Sequence, residues 1–261
     1  PVRPAWNRLP GLCLCQETAG PGGRARGGTT AEEGGYPLRQ VIVIEGIMKE
    51  IIMDGEGIEQ YLDDPEITMR IARVTDFLEA NGIDFELYRH PPLPTIEKAL
   101  EYWKNLSATH CKNLFMRNHK GNRHYLISFE CHKNLDIHTL EHKLRQGKLS
   151  FASEERMVRC LGVHPGSVTP FGLIEDMGLA VPAPDSTAEK PIFAKVRQDV
   201  SVRELFANGH RVKFFVDEDL KMSERISFHP CDNTASVIVS REGFLRFLSL
   251  WGGEYEWIGI S

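Results

Sequence analysis

Strand and helix signals interleave along this chain without a regular strand–helix–strand rhythm, an order that favours an α+β fold with a mixed or antiparallel sheet. At the centre, two strand-like runs, Asn113–Arg117 and Tyr125–Phe129, flank the stretch HKGN, whose Gly121 suits a hairpin turn. Before them Ile67, Ile71, Val74 and Leu78 recur at helical spacing, and Gly82 stops the run. Phe85–Tyr88 reads as a strand, and Thr95 as the cap of a helix reaching Leu106. After the hairpin, Asp136–Arg145 reads as a helix with Leu140 and Leu144 on one face. Another helix starts at Ser153, carries Glu154 and Glu155 in the turn where the dipole favours acids, and ends at Gly162. Strands are expected at Val212–Val216, Arg225–Phe228 and Ser236–Val239, and a last helix from Ser240 to Gly252.

The flanks differ in character. Residues 1–40 are aperiodic and rich in Gly, Pro, Arg and Thr, the composition of a disordered or targeting-like extension. Residues 41–64 join an apolar run to an acidic stretch and read as an accessory segment without chemistry. The principal domain is expected over 65–253, interrupted by an insertion at 175–211 whose Pro182–Ser186 run marks an exposed excursion. Six scattered cysteines form neither a disulfide framework nor a CxxC pair, so a reducing compartment is expected. No apolar run approaches a membrane span. A cytoplasmic protein is expected; the arginines of the extension raise an organelle as the alternative. The net charge of -5 excludes a chain that is basic throughout, but not a local basic face.

Four constellations can carry chemistry. Between Trp103 and Lys148, nine Lys and Arg residues meet only Glu130, Asp136 and Glu141, a candidate phosphate face, although charge alone favours a solvated surface. In the loop Gly166-Ser167-Val168-Thr169-Pro170, the glycine permits close backbone approach and the proline stiffens the far end. Free N–H groups between them can meet a carbonyl or phosphate oxygen as an oxyanion hole does. Alone, the loop is an ordinary turn before a strand, leading into the short run Phe171–Ile174. Lys112-Asn113, at the start of a strand, offers a point charge for phosphate and a donor–acceptor pair for a sugar or carbonyl; alone it is a surface strand end. His229, near Asn233 and Thr234, is a base, a hydroxyl partner or a histidine tied into a local turn. No metal is expected: His138 and His142 are four residues apart, but lack the glutamate of HExxH and a third ligand. Nothing near Cys111 marks a lowered thiol pKa.

The order of these signals discriminates. HPPLPTIEKA (90–99), HCKNLFMRNHKGNRHYL (110–126), LSFASEERMVRCLGVHPGSVTPFGLI (149–174) and FHPCDNTASVIVS (228–240) together resemble the free-standing prolyl-tRNA synthetase associated domains of the YbaK superfamily. The resemblance spans about Pro65 to Gly252, apart from the insertion. It implies a curved, largely antiparallel sheet surrounded by helices, and a trans-editing deacylase. Such an enzyme hydrolyses the ester between a wrong amino acid and the terminal adenosine of tRNA(Pro). A methylene discriminates by only about 1–3 kcal/mol, so a second sieve is the physical remedy for mischarging. The PGSVTPFGL wording is similar to the alanine-specific branch; Ser, Thr or Cys are the alternatives.

Carried over residue by residue, the resemblance gives Lys112 the terminal phosphate and Asn113 a hold on the substrate; Arg117 of the basic stretch and Asn233 beside His229 are further candidate substrate contacts. Gly166, Ser167, Val168, Thr169 and Pro170 form the loop that fixes the aminoacyl carbonyl, and His229 lines the site. It implies no cofactor and no covalent nucleophile. The implied partners are aminoacyl-tRNA(Pro) and, through the extension and the insertion, prolyl-tRNA synthetase or a multi-synthetase complex. The extension and insertion depart from the compact form of the family. The alternative is a non-catalytic tRNA-binding or synthetase-associated subunit.

Overall fold

The protein is described by a computed structural model over residues 38–44, 48–53, 57–93, 96–104, 106–179 and 204–260. The first half holds β1 (Leu38–Ile44), β2 (Met48–Met53), α1 (Ile58–Leu62), α2 (Pro65–Ala80), β3 (Phe85–Arg89), α3 (Ile96–Trp103), β4 (Thr109–Asn118) and β5 (His124–Glu130). Then come α4 (Ile137–Leu144), β6 (Leu149–Phe151), α5 (Glu154–Leu161) and a 3-10 helix, Pro170–Leu179. The last part holds β7 (Val212–Asp217), a 3-10 helix Glu218–Met222, β8 (Arg225–Phe228), β9 (Ala235–Ser240), α6 (Arg241–Trp251) and β10 (Tyr255–Ile258).

Local chemistry sets these boundaries. α2 starts where Asp64 accepts the N–H groups of Glu66 and Ile67 at 2.8 and 3.1 Å, with Pro65 at the position that needs no N–H. α6 starts where Ser240 Oγ accepts the Gly243 N–H at 3.0 Å.

The strands form one mixed sheet in the order β1-β2-β3-β9-β8-β4-β5-β7-β10, with β6 paired to β4. Five of its nine ladders are antiparallel (β1–β2, β3–β9, β4–β5, β4–β6, β8–β9) among the described residues. Strand alternation buries both faces. Phe85, Leu87, Val237 and Val239 face a core shared with Val74 and Leu78 of α2 and Phe244 and Phe247 of α6. Their neighbours Tyr88 and Ile238 pack instead with Ala99, Tyr102 and Trp103 of α3. Under β4 and β5, Met116, Tyr125 and Ile127 pack against Leu140 and Leu144 of α4. The fold class is the α+β architecture expected.

One irregularity of this sheet creates a cleft. The edge of β4 away from β5 pairs with β8 only at Thr109 and His110, and with β6 only from Met116 to Asn118. Between these contacts the edge from Cys111 to Phe115 has no ladder partner among the described residues. The sheet opens there.

Several expectations change. Segment 41–64 does not merely lie against the domain: β1 and β2 extend the sheet through the β2–β3 ladder. Phe171–Ile174 is not a strand but part of the 3-10 helix Pro170–Leu179, which packs so closely on α5 that a Cβ on Gly172 would stand 2.9 Å from Leu161 O. Lys112-Asn113 does not start a strand; β4 already runs from Thr109. β10 carries the sheet past residue 253. Thr95 and the Pro182–Ser186 run lie outside the described residues. The two described ends of the expected insertion are clamped together by Asp176. This buried carboxylate accepts the Arg211 N–H at 2.8 Å, the Val212 N–H at 3.4 Å, His210 Nδ1–H at 3.2 Å and Trp251 Nε1–H at 3.2 Å.

Candidate active site

A cleft of about 260 Å³ lies at the opened edge of β4. It is lined by Cys111, Lys112, Asn113 and Leu114 of β4, by Leu93, Ala99 and Trp103, by Gly166 and Val168, and by His229. In a strand, Lys112 and Asn113 point to opposite faces. Both can line one cleft because it runs along the free edge of the strand.

Each polar group has a defined state. Lys112 Nζ donates to Lys133 O at 3.2 Å, and no carboxylate lies within ion-pair distance of it among the described residues. Its charge is thus available to an anion. Asn113 Oδ1 accepts a 2.6 Å hydrogen bond from the buried Ser128 hydroxyl, so the amide is oriented and its Nδ2 donors remain for a ligand. His229 Nδ1–H donates to Ala235 O at 3.0 Å, which fixes the tautomer and leaves Nε2 as an acceptor. Burial pulls the His229 pKa below its usual value, so the ring is neutral at neutral pH.

The loop between α5 and the 3-10 helix is built as a scaffold. Gly166 has φ 87°, a conformation that L side chains rarely adopt, and its missing Cβ would sit 3.6 Å from Asn233 Nδ2. The Ser167 N–H is committed to His164 O at 3.1 Å and is therefore not one of the free donors expected of this loop. The N–H groups of Val168 and Thr169 have no acceptor among the described residues. Fully buried Thr169 starts the 3-10 helix: its hydroxyl accepts the Phe171 N–H at 3.3 Å and its carbonyl the Gly172 N–H at 3.1 Å. Pro170 follows at the first helical position.

The cleft therefore gathers Lys112, Asn113, Gly166, Val168 and His229. Asn233 lies beside Gly166 and, like Ser167, Thr169 and Pro170, is not part of the cleft lining. Arg117 stands five residues along β4 from Lys112, about 17 Å at strand rise. There it donates to Asn118 O and His119 O at the hairpin end, outside the cleft lining. The basic face is partly neutralised: Lys133 is paired with Asp217 and Asp219 at 2.7 and 2.6 Å.

Sequence reasoning missed the apolar wall. Leu93, Ala99 and Leu114 fall inside the segments that carry the resemblance but are given no role there, and Trp103 lies outside them; only the one-turn spacing of Ala99 and Trp103 on α3 hints at a shared face. Cys111 lines the cleft, but burial pushes its thiol pKa well up and keeps it protonated. Among the described residues, Glu130, Cys131 and His132 bring possible metal-ligand atoms within 4.8 Å of one another. Burial and the Glu130 carboxylate push the Cys131 thiol up to about 12. Among the described residues, no helix is long and apolar enough to cross a membrane.

Residues 90–194, which include the opened β4 edge and the Gly166–Pro170 loop, match the family model of the aminoacyl-tRNA editing domain. The chain is 30% identical over 183 residues to the prolyl-tRNA editing protein ProX of Acetoanaerobium sticklandii, covering 70% of this chain and 93% of that protein. It is 27% identical to prolyl-tRNA synthetase associated domain-containing protein 1 of Mus musculus over 183 residues, covering 69% of this chain and 90% of that one. With the protein of the same name from Danio rerio it shares 27% over 173 residues, 66% of this chain and 78% of that one. This chain belongs to the prolyl-tRNA editing family.

Proposed function

We propose that the protein is an aminoacyl-tRNA deacylase that acts in trans on mischarged tRNA(Pro), with alanyl-tRNA(Pro) as its substrate and no cofactor. The observation that carries this reading is the meeting, in one cleft, of an uncompensated lysine, an oriented asparagine, a loop with a free backbone donor at Val168 and a neutral histidine.

On this reading Lys112 holds the phosphate of the terminal nucleotide as a point charge. Asn113 donates from Nδ2 to a ribose or ester oxygen. The N–H group of Val168 polarises the ester carbonyl and stabilises the oxyanion that forms when water attacks. His229 Nε2 accepts a proton from the attacking water, or from a ribose hydroxyl that assists it. The ester bond breaks, and the amino acid and a free ribose hydroxyl leave. Arg117 serves an RNA phosphate beyond the terminal nucleotide. The cysteines take no part, because burial keeps Cys111 and Cys131 protonated.

The purified protein is expected to release alanine from alanyl-tRNA(Pro) well above spontaneous hydrolysis. Lys112→Ala is expected to raise KM and lower kcat/KM about a hundredfold, the loss of one charge-assisted contact of about 3 kcal/mol. Tight, salt-dependent tRNA binding without turnover would instead mark a non-catalytic tRNA-binding subunit.

A further inference from the structure

Trp103 lines the cleft and is anchored both by stacking and by a hydrogen bond. One face of its indole stacks on His110, with ring centroids 4.3 Å apart and an interplanar angle of 3°. Its Nε1–H donates to Ser236 Oγ at 3.4 Å. The Ser236 hydroxyl donates to His90 Nε2 at 3.0 Å, because His90 Nδ1–H is spent on Pro91 O at 2.9 Å. His229 leans toward the indole, 6.5 Å between centroids at 42°. His90 and Ser236 are buried, and Ala99 lines the cleft one helical turn before Trp103.

Only 6% of Trp103 is accessible. With one face stacked on His110 and so little of the ring accessible, the indole has no open face to offer. Base stacking needs an open π-face, so the indole is not a platform for adenine. A buried, anchored ring that lines a cleft is a wall. The rest of the apolar lining, Leu93, Ala99, Leu114 and Val168, continues that wall around a space suited to a small apolar group. A sieve must exclude an extra methylene or two sterically, and a wall that yields forfeits the exclusion.

We propose that Trp103 is the specificity-determining wall that sets the largest aminoacyl side chain the cleft admits, and that Ser236 and His90 are positioning residues that lock its rotation. This rests on the deacylase reading above and deepens it. The test measures kcat and KM for alanyl-tRNA(Pro) and prolyl-tRNA(Pro) with the wild type, Trp103→Phe and Ser236→Ala, folding being verified by circular dichroism. The phenylalanine variant retains an aromatic core residue, so that the fold survives the test. The rate ratio of prolyl to alanyl ester is expected to rise about tenfold in Trp103→Phe, and in the same direction in Ser236→Ala. A wild-type ratio in Trp103→Phe, or an equal rise in KM for both esters, would overturn the wall. A wild-type ratio in Ser236→Ala beside a raised one in Trp103→Phe would overturn the positioning role. Failure of the deacylase reading is distinct: the wild type itself would release no alanine.

Discussion

The Asn113 amide is oriented by a residue that does not line the cleft. Ser128 is fully buried and donates to Asn113 Oδ1 at 2.6 Å. Removing its hydroxyl frees the amide to rotate, at a cost of about 1.4 kcal/mol, or tenfold. Ser128→Ala is therefore expected to lower kcat/KM for alanyl-tRNA(Pro) about tenfold, and to add nothing in an Asn113→Ala background. Full additivity in that double-mutant cycle would refute the link. At this scale the sequence was informative where chemistry leaves a motif: Lys112, Asn113, Gly166 and His229 stand in family order, and the cleft lining includes all four. Ser128 and Trp103 were not legible. Their roles come from cross-strand register and from packing between segments distant in sequence.

Elements carry the next level of the account. The long strands and the capped helices were readable because alternation, Asp and Ser caps and a glycine stop are local signals. Phe171–Ile174 was not, because four apolar residues do not separate a strand from a 3-10 turn; the tight contact of Gly172 on Leu161 decides it. The opened edge of β4 was not legible either, since it follows from how far β6 and β8 extend, not from β4 itself. The clamp at Asp176 belongs here too. Its carboxylate joins the Pro170–Leu179 helix to the start of β7 and to α6 through four donors, with no exposure to solvent. Asp176→Ala would leave those donors buried and unpaired. A loss of about 3 kcal/mol is expected, read as a lower urea midpoint. A midpoint equal to wild type would show that the clamp is dispensable.

Over the whole molecule, buried neutral histidines couple stability to pH. Burial pulls His90 and His124 down to about 3 and His110 down to about 4, with the neighbouring Arg156 adding to the effect at His124. The unfolded chain protonates the same rings near 6.5. Above that value the neutral rings cost nothing, and stability is fully present. As pH falls from 6.5 towards 4 the unfolded state takes up protons that the folded state refuses, and each ring removes about 1.4 kcal/mol per pH unit. The melting temperature is expected to fall steeply across that window, and less steeply in His110→Gln. A flat profile between pH 6.5 and 4 would contradict the burial of these rings. The family and the fold class were legible from the order of four segments. The joining of β1 and β2 to the sheet was not, because a short apolar run does not declare which strand it will pair with.

On the proposed function, the cleft hydrolyses the ester of a small, wrong amino acid on tRNA(Pro). The most direct measurement is the deacylation rate of tRNA(Pro) charged separately with alanine, serine, cysteine and proline, each against its spontaneous hydrolysis. Rapid release of alanine and an intact prolyl ester are expected of this function. An alanyl ester that decays no faster than it does in buffer, or a prolyl ester cleaved as fast as the alanyl one, would contradict it.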